Sequence, residues 1–442
     1  MIILNKSDVS FINSIDPVGN IFFWQNRVFR AINENYLIDT KRLLSSGLIN
    51  ELVQKRLLVE TTIADDLALE GYSLILEHEK ITYISSPYEW TFNMLKDVAI
   101  AYLEIFQICK KYGYVLKDGH LLNFTFVNYH PVFFDLGSIV KGKSDYALLE
   151  FYNSVIIPLK IWSKGDFYLA NLILRDDYSH NRFLPSKSLL NHKTLRSFVP
   201  FSEKFLFCFL FKVINRITKI MLNKNIPPIS CFSGKNLLKK ILRIRRKPVE
   251  TTWSKYHDAY SDNTNIRFNR IIEVIRGLGL KSMIDLAGNK GCFSILVSRR
   301  TNIRQIYCTD YDESAVDALY LIMKKNEPKN ITPMLLNFVC PILSNREAPK
   351  ADIAVALAVT HHLLLTQSFT IDKIFDRIAA YSNRFVLIEF MPLGLWDGKN
   401  STGAPAWYNI DWFRDNFKKK FKLLQEEQTE PNRIFFIGET NK

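Results

Sequence analysis

From about residue 250 onward, short apolar runs alternate with longer amphipathic stretches. The runs are SMIDLA, QIYCTDYD, TPMLLNF, ADIAVALA, FVLIEF and RIFFIGE. Nearly continuous apolar runs of this length, separated by helix-length segments, predict parallel strands covered on both faces by helices. The first half reads differently. Residues 1 to 85 alternate short apolar runs with turns: NIFFWQNRVFRAI, a helical TKRLLSSGLINELVQKR, then GYSLILEHEKITYISS. This predicts a small sheet with one or two helices. Residues 91–223 read as mainly helical, with a long helix over 92–112, and are interrupted by YVLKDGHLLNFTFVNYHPVFFDLGSI. Pro227, Pro228 and Gly234 then mark a break, followed by a basic amphipathic helix over 235–247 carrying Lys239, Lys240, Arg243, Arg245 and Arg246. The domain linker is placed there.

A chain of 442 residues exceeds one ordinary core, and 48% hydrophobic residues suffice to bury two. The net charge of +14 favours an acidic partner: anionic lipid, a phosphate-bearing glycan or nucleic acid. Nucleic acid is the weakest of these, because the basic linker lacks aromatics interleaved with its charges. The six cysteines form no CxxC pair and read as buried free thiols of a reducing compartment. The N-terminus lacks a charged segment followed by a long apolar core, and FLFCFLFKVI (205–214) is too short to span a bilayer. The expected location is the cytoplasm, with the basic helix peripheral to the inner face of the membrane.

The chemistry of the second half starts at MIDLAGNKG. The strand ends in Asp285, and the turn carries Ala287, Gly288, Asn289 and Gly291 before the helix CFSILVSRR. The order D-x-A-G-x-x-G is poor for a pyrophosphate. It suits a nucleoside with an amino-acid tail, whose ammonium Asp285 can engage. Roughly 20 residues on, the next strand ends in Asp310, placed to accept both hydroxyls of a ribose. These stretches resemble the class I S-adenosylmethionine-dependent methyltransferases. MIDLAGNKG stands at the family's glycine turn, TDYD at its ribose acid, LLNF with Asn337 at the adenine side, and ADIAVALAVTHHL at the fourth-strand motif. Ala287 and Asn289 replace two family glycines. The resemblance implies a Rossmann-like sheet over 251–442 and S-adenosylmethionine as cofactor.

His361 and His362 follow the fourth of these strands, at the edge where sheet ligands lie. One imidazole could take a proton from an attacking hydroxyl, with the other packing or capping the next helix; His361, first off the strand, is favoured. Glu389 ends the fifth strand and could orient that histidine, bind substrate or hydrogen-bond a loop backbone. Trp253 and Tyr256 could lid the cofactor or staple the first helix to the sheet.

In the first half, Asp118, Asn123 and Asp135 have the spacing of a phosphoryl-transfer site: one Asp for the acceptor hydroxyl, an Asn and a second Asp for Mg²⁺. A turn and a strand-end cap would read the same way. The stretch resembles the catalytic and metal-binding loops of the protein-kinase-like superfamily. Residues 1–90 would be a β-rich N-lobe, 91–225 a helical C-lobe and 226–250 the basic linker. A GxGxxG loop is missing, and Arg30 or Lys41 would have to replace the usual strand lysine, with Glu51 as its partner. If active, this site implies Mg²⁺ and ATP, with Asn123 and Asp135 as metal ligands.

The whole pattern resembles large bacterial methyltransferases that include host-specificity nodulation proteins and surface-polysaccharide-cluster enzymes. It implies O-methylation of a saccharide or related polar acceptor. The alternative is a bifunctional enzyme that phosphorylates a glycan end and then methylates the phosphate.

Overall fold

The computed structural model describes residues 1–12, 16–142, 146–175, 234–246, 265–326, 330–341, 347–395 and 403–440. Its chain forms two compact units: residues 1–82, 95–125 and 131–247 in one, and 83–94, 126–130 and 248–442 in the other. The apolar stretch 205–214 and the residues Cys208, Cys231, Trp253 and Tyr256 lie outside the described residues. Among the described residues no helix is long and apolar enough to cross a membrane.

The first unit opens with β1 (Ile2–Leu4), β2 (Ser10–Phe11), β3 (Gly19–Trp24), β4 (Arg27–Ile32), β5 (Thr61–Ile63), β6 (Leu67–Leu69) and β7 (Leu74–His78). Five of these form an antiparallel sheet in the order β2-β3-β4-β7-β5, and β1 pairs with β6 in parallel. Phe22, Phe29, Ala31 and Ile75 on the sheet, with Leu4, Leu67 and Leu69 of the parallel pair, make its core. The helical segment between β4 and β5 is two helices, Leu37–Ser45 and Leu48–Gln54. Gly47 separates them at φ 84°, a left-handed conformation that glycine adopts without a Cβ penalty. Helix Phe92–Lys111 follows as expected. After it come β8 (Tyr114–Leu116), β9 (Phe124–Val127), β10 (His130–Phe133) and β11 (Ile139–Lys141), paired β9 with β10 and β8 with β11.

The basic segment forms helix Gly234–Arg243. Leu237 and Ile241 are buried in the protein, while Lys235, Lys239, Lys240 and Arg243 are exposed. Part of the side that a membrane-inserting helix would give to lipid is therefore taken by protein, while Leu242 is exposed beside the cations.

The second unit carries β12 (Ser282–Leu286), β13 (Gln305–Asp310), β14 (Ile331–Leu335), β15 (Ala351–Ala356), β16 (Ser382–Phe390), β17 (Phe421–Glu430) and β18 (Arg433–Thr440). They form one sheet in the order β14-β13-β12-β15-β16-β18-β17. The first five strands are parallel, as the apolar runs predict; β18 is antiparallel to both β16 and β17. This is the Rossmann-like sheet of the class I methyltransferase fold. The sequence reading omits β17 because FKLLQEEQTE is polar along much of its length, as an edge strand can be. Successive side chains alternate between faces. Ile284, Leu286, Val386, Ile388 and Phe390 pack with Phe375, Phe413 and Phe417 on one face. Asp285 and Glu389 alternate with these residues and therefore point to the other.

Candidate active site

The turn after β12 brings the strand-end carboxylates together. Gly288 N–H donates to the Thr309 carbonyl at 2.8 Å, tying the turn to β13. Asn289 N–H donates to Asp310 Oδ2 at 2.9 Å, and Asp312 N–H to Asp310 Oδ1 at 2.8 Å. Ser294 Oγ, from helix Cys292–Arg300, donates to Asp285 Oδ2 at 2.7 Å. A Cβ on Gly288 would lie 2.7 Å from Cys308 Sγ and 2.8 Å from Asp285 Oδ2, so no other residue fits there without displacement.

The two residues that replace family glycines keep the glycine conformation. Ala287 has φ 62° and Asn289 φ 51°. Ala358, after β15, has φ 51°. A left-handed alanine is strained by roughly 1–2 kcal/mol, whereas asparagine tolerates the region better. All three residues line one cavity of about 210 Å³. Both left-handed alanines thus lie where a ligand would approach the main chain.

Asp285, Asp310 and Asn337 also line this cavity. Burial pushes the Asp285 carboxyl up to about 7, against the opposing Ser294 hydrogen bond and with the Asp310 charge adding to the rise. Burial likewise pushes Asp310 up to about 6, against backbone N–H donors from Asp312 and Asn289. Asn337 Oδ1 accepts the N–H groups of Val339 and Cys340 at 3.2 and 3.1 Å and so shapes the loop after β14.

At the end of β15, His362 is on the cavity wall; His361 is buried and is not among the lining residues. Their rings are 4.0 Å apart, centroid to centroid. Both belong to the short helix Thr360–Leu365, whose turn sends adjacent side chains in different directions. Burial lowers the His361 pKa to about 3, and lowers that of His362 below its usual value. His361 Nδ1 is buried without a hydrogen-bond partner. The geometry therefore favours His362 over His361 for contact with a ligand.

Glu389 meets two arginines and a backbone N–H rather than a histidine. It is fully buried, with Arg267 Nε at 3.1 Å and Arg433 Nη1 at 2.8 Å. Its Oε2 also accepts the Ala358 N–H at 2.9 Å. Of the three sequence readings, the bond to a loop backbone is the one present, and the arginines were not foreseen. Arg267 lines the cavity from helix Ile266–Gly277, where Asn265 Oδ1 caps the Phe268 N–H at 3.0 Å. No motif marked Arg267; the available signal was a charge in the first turn of an otherwise amphipathic helix.

In the first unit, Arg30 on β4 reaches Asp135 at 2.9 Å and Asp16 at 2.6 Å. Arg30 is thus the cation that meets Asp135, while Lys41 is exposed on its helix. Glu51 does not join them: its Oε2 accepts from Lys111 Nζ at 2.7 Å and Tyr112 OH at 2.8 Å. Asp118 Oδ2 accepts from Ser138 Oγ at 3.2 Å, and the Asn123 carbonyl accepts the Phe134 N–H at 3.0 Å. Among the described residues, no group of three or more His, Cys, Asp or Glu side chains is arranged to hold a metal. Asp135 Oδ1 meets both the guanidinium and the Gly137 N–H. A guanidinium on that oxygen opposes a dication, so this arrangement does not fit Mg²⁺ held by Asn123 and Asp135.

Over 416 residues the chain is 23% identical to the nodulation protein NoeA of Rhizobium meliloti (strain 1021), covering 85% of this chain and 83% of that protein. Among solved structures it is similar to magnesium protoporphyrin IX methyltransferase (ChlM) from Synechocystis PCC 6803 with bound SAM, at 14% identity and a TM-score of 0.34, covering 48% of this chain and 99% of the other. It is also similar to the N-methyltransferase NodS from Bradyrhizobium japonicum WM9, at 9% identity and a TM-score of 0.32, covering 41% and 99%. No family model matches the chain.

Proposed function

We propose that the protein is an S-adenosylmethionine-dependent methyltransferase acting on a hydroxyl of a saccharide or similar polar acceptor. The observation that carries this reading is the cavity at the carboxyl ends of β12, β13 and β15, with Asp285 and Asp310 on its wall beside the left-handed Ala287–Asn289 turn. The residues present fit the cofactor. Buried Asp285 is a carboxyl that gains from a cationic partner, and the two oxygens of Asp310 have lone pairs for ribose hydroxyls besides the backbone N–H groups of Asn289 and Asp312. Gly288 allows the main chain to come close to a ligand.

When bound, the cofactor supplies a methyl group made electrophilic by a sulfonium. The chain's own part is placement and proton management. Asp285 holds the tail ammonium, Asp310 the ribose and the Asn337 loop the base. His362, neutral at physiological pH, accepts the proton of the acceptor hydroxyl. The buried wall formed by Phe293, Leu336 and Phe338 limits competing water.

The saccharide acceptor rests on the resemblance to surface-polysaccharide and nodulation methyltransferases, with which the similarity to NoeA is consistent. The first unit is read as kinase-like in form and as an acceptor-binding part in use. The Arg30–Asp135 pair speaks against the phosphorylating alternative with Mg²⁺ and ATP. The test is incubation with methyl-labelled S-adenosylmethionine and a panel of saccharides, read by mass spectrometry. Label on a sugar oxygen is expected. No cofactor binding, or label only on nitrogen acceptors, would overturn the reading.

A further inference from the structure

Between Asp310 and Asp317 the chain carries four carboxylates, and each accepts main-chain N–H groups. Asp310 takes those of Asn289 and Asp312. Asp312 Oδ1 accepts from Ser314 at 2.9 Å and Ala315 at 3.3 Å, which caps helix Glu313–Asn326. The other two acids serve residues 221 and 224 positions away. Glu313 Oε1 accepts the Phe92 N–H at 3.0 Å. Asp317 Oδ1 accepts the Asn93 N–H at 3.1 Å, and its Oδ2 accepts from Asn93 Nδ2 at 2.7 Å.

Phe92 and Asn93 open helix Phe92–Lys111. The first N–H groups of a helix find no acceptor within it, and its positive end favours carboxylates. Thr91 Oγ1 accepts the Met94 N–H at 3.4 Å, and Glu313 and Asp317 supply acceptors for the two residues before it. Glu313, Asp317 and Phe92 are buried, so bulk water would not replace a bond lost there. Residues 83–94 belong to the second unit. Tyr83 packs edge-on against Tyr307 of β13, with ring centroids 6.1 Å apart. The segment thus meets both the strand that ends in Asp310 and the helix that follows it. The chain pattern assigns residues 92 and 93 to a helical domain of the first half, yet their contacts are with the elements that carry the cavity carboxylate.

Resting on the methyltransferase reading, we propose that Glu313 and Asp317 are positioning residues for the cofactor. By taking the first N–H groups of helix Phe92–Lys111, they fix the opening turn of helix Glu313–Asn326. Asp312 caps that same turn and donates its N–H to Asp310. The carboxylate that meets the ribose is therefore held in place through Asp312, Glu313 and Asp317 by Phe92 and Asn93. The cofactor site is complete only with a segment from the first half of the chain, and Asn93 serves it without touching the ligand.

The test uses the full chain with S-adenosylhomocysteine and its 2′-deoxy analogue, which differ by one hydroxyl offered to Asp310. Calorimetry at a temperature where each variant is folded reads affinity, and thermal unfolding reads stability separately. The wild type should prefer the ribose ligand by about tenfold or more, the scale of a hydrogen bond to a charged group. Asn93→Asp sets a second carboxylate against Asp317 and should cut the preference to about threefold or less. Adding Asp317→Asn exchanges acid and amide across the same contact and should restore the preference to within about twofold of wild type. If Asn93→Asp does not fold, Asn93→Ala, which removes only the Nδ2 bond, carries the test and should lower the preference to about half or less. A clamp that serves stability alone lowers the melting temperature and leaves the preference unchanged. That result, or a preference that the exchange fails to restore, overturns the proposal while leaving the methyltransferase reading intact, since the ligands still bind. Equal affinity of the wild type for the two ligands does the same. A wild type that binds neither ligand overturns both.

Discussion

Asn289 N–H and Asp310 Oδ2 are joined at 2.9 Å, so the turn after the first strand of the second unit is fastened to the tip of its neighbour. The bond holds Asn289 in its left-handed conformation and fixes the carboxylate assigned to the ribose. Asp310→Ala orphans the N–H groups of both Asn289 and Asp312. Unfolding free energy should drop by about 1–3 kcal/mol, with a loss of cofactor affinity of similar size. Urea denaturation and calorimetry measure the two, and unchanged affinity would remove Asp310 from the cofactor site.

The two buried carboxyls give the site a pH signature. Folded Asp285 and Asp310 have pKa values raised to about 7 and about 6, above the roughly 3.9 of an unfolded aspartate. A raised folded pKa means the folded state binds protons more tightly. Their stabilising contribution is therefore complete below about pH 4 and is lost as pH rises through 6 to 7. A cationic ligand favours the ionised forms, so cofactor binding near pH 6.5 should release protons. Calorimetry in buffers of different ionisation enthalpy reads this directly; heats that do not depend on the buffer would count against Asp285 as the ammonium partner.

The histidine pair separates a ligand-facing ring from a packed one. His362→Ala should keep cofactor binding and lose about 10²–10⁴-fold in turnover, the usual range for general base catalysis. His361→Ala should act on stability more than on turnover. Because burial lowers the pKa of His362, the acid limb of the wild-type rate profile should fall below about pH 6.5. Steady-state rates of both variants across pH decide, and near-normal turnover in His362→Ala would leave proximity alone to account for transfer.

Arg30 is buried between Asp16 and Asp135. Asp135→Ala removes one of two counter-charges and should destabilise the first unit by about 1–3 kcal/mol. Methyl transfer at saturating substrate should change little. Thermal unfolding with and without Mg²⁺ checks the companion expectation: the metal should not stabilise the wild type. A rise in melting temperature that requires Asp135 would restore the phosphoryl-transfer reading.

Helix Gly234–Arg243 keeps Leu237 and Ile241 inside the protein and its lysines outside. Any association with anionic vesicles should therefore be electrostatic, at about 1 kcal/mol per basic residue, and abolished by high salt. Vesicle flotation of the wild type and a Lys235→Glu, Lys239→Glu, Lys240→Glu variant tests this. Binding that resists salt would show insertion of apolar side chains instead.

Much of the second unit could be read from the chain. Five apolar runs became β12 to β16 because strands buried on both faces must be apolar throughout, and Asp285 and Asp310 were identified because a charged residue at such a strand's end is conspicuous. The polar edge strand β17 was missed for the converse reason. Local pattern could also say that only one of His361 and His362 would face a ligand, but it pointed to His361, first off the strand, whereas His362 is the one on the cavity wall. That choice depends on how helix Thr360–Leu365 sits against the sheet.

The sequence by itself determined the order of strands and turns and the chemistry at their ends, since these follow from side-chain periodicity over neighbouring residues. Tertiary structure decided which charges meet. Arg30 and Asp135 are 105 positions apart, and Arg433 and Glu389 are 44 apart. Such pairs have no local signature: Arg30, Asp135 and Glu389 each stood out as candidate site residues, but nothing along the chain said which charge would meet which. Only burial of both in one low-dielectric place makes the pairing necessary. Glu389, read in the sequence as a partner for a histidine, for substrate or for a loop backbone, was for that reason found between two arginines.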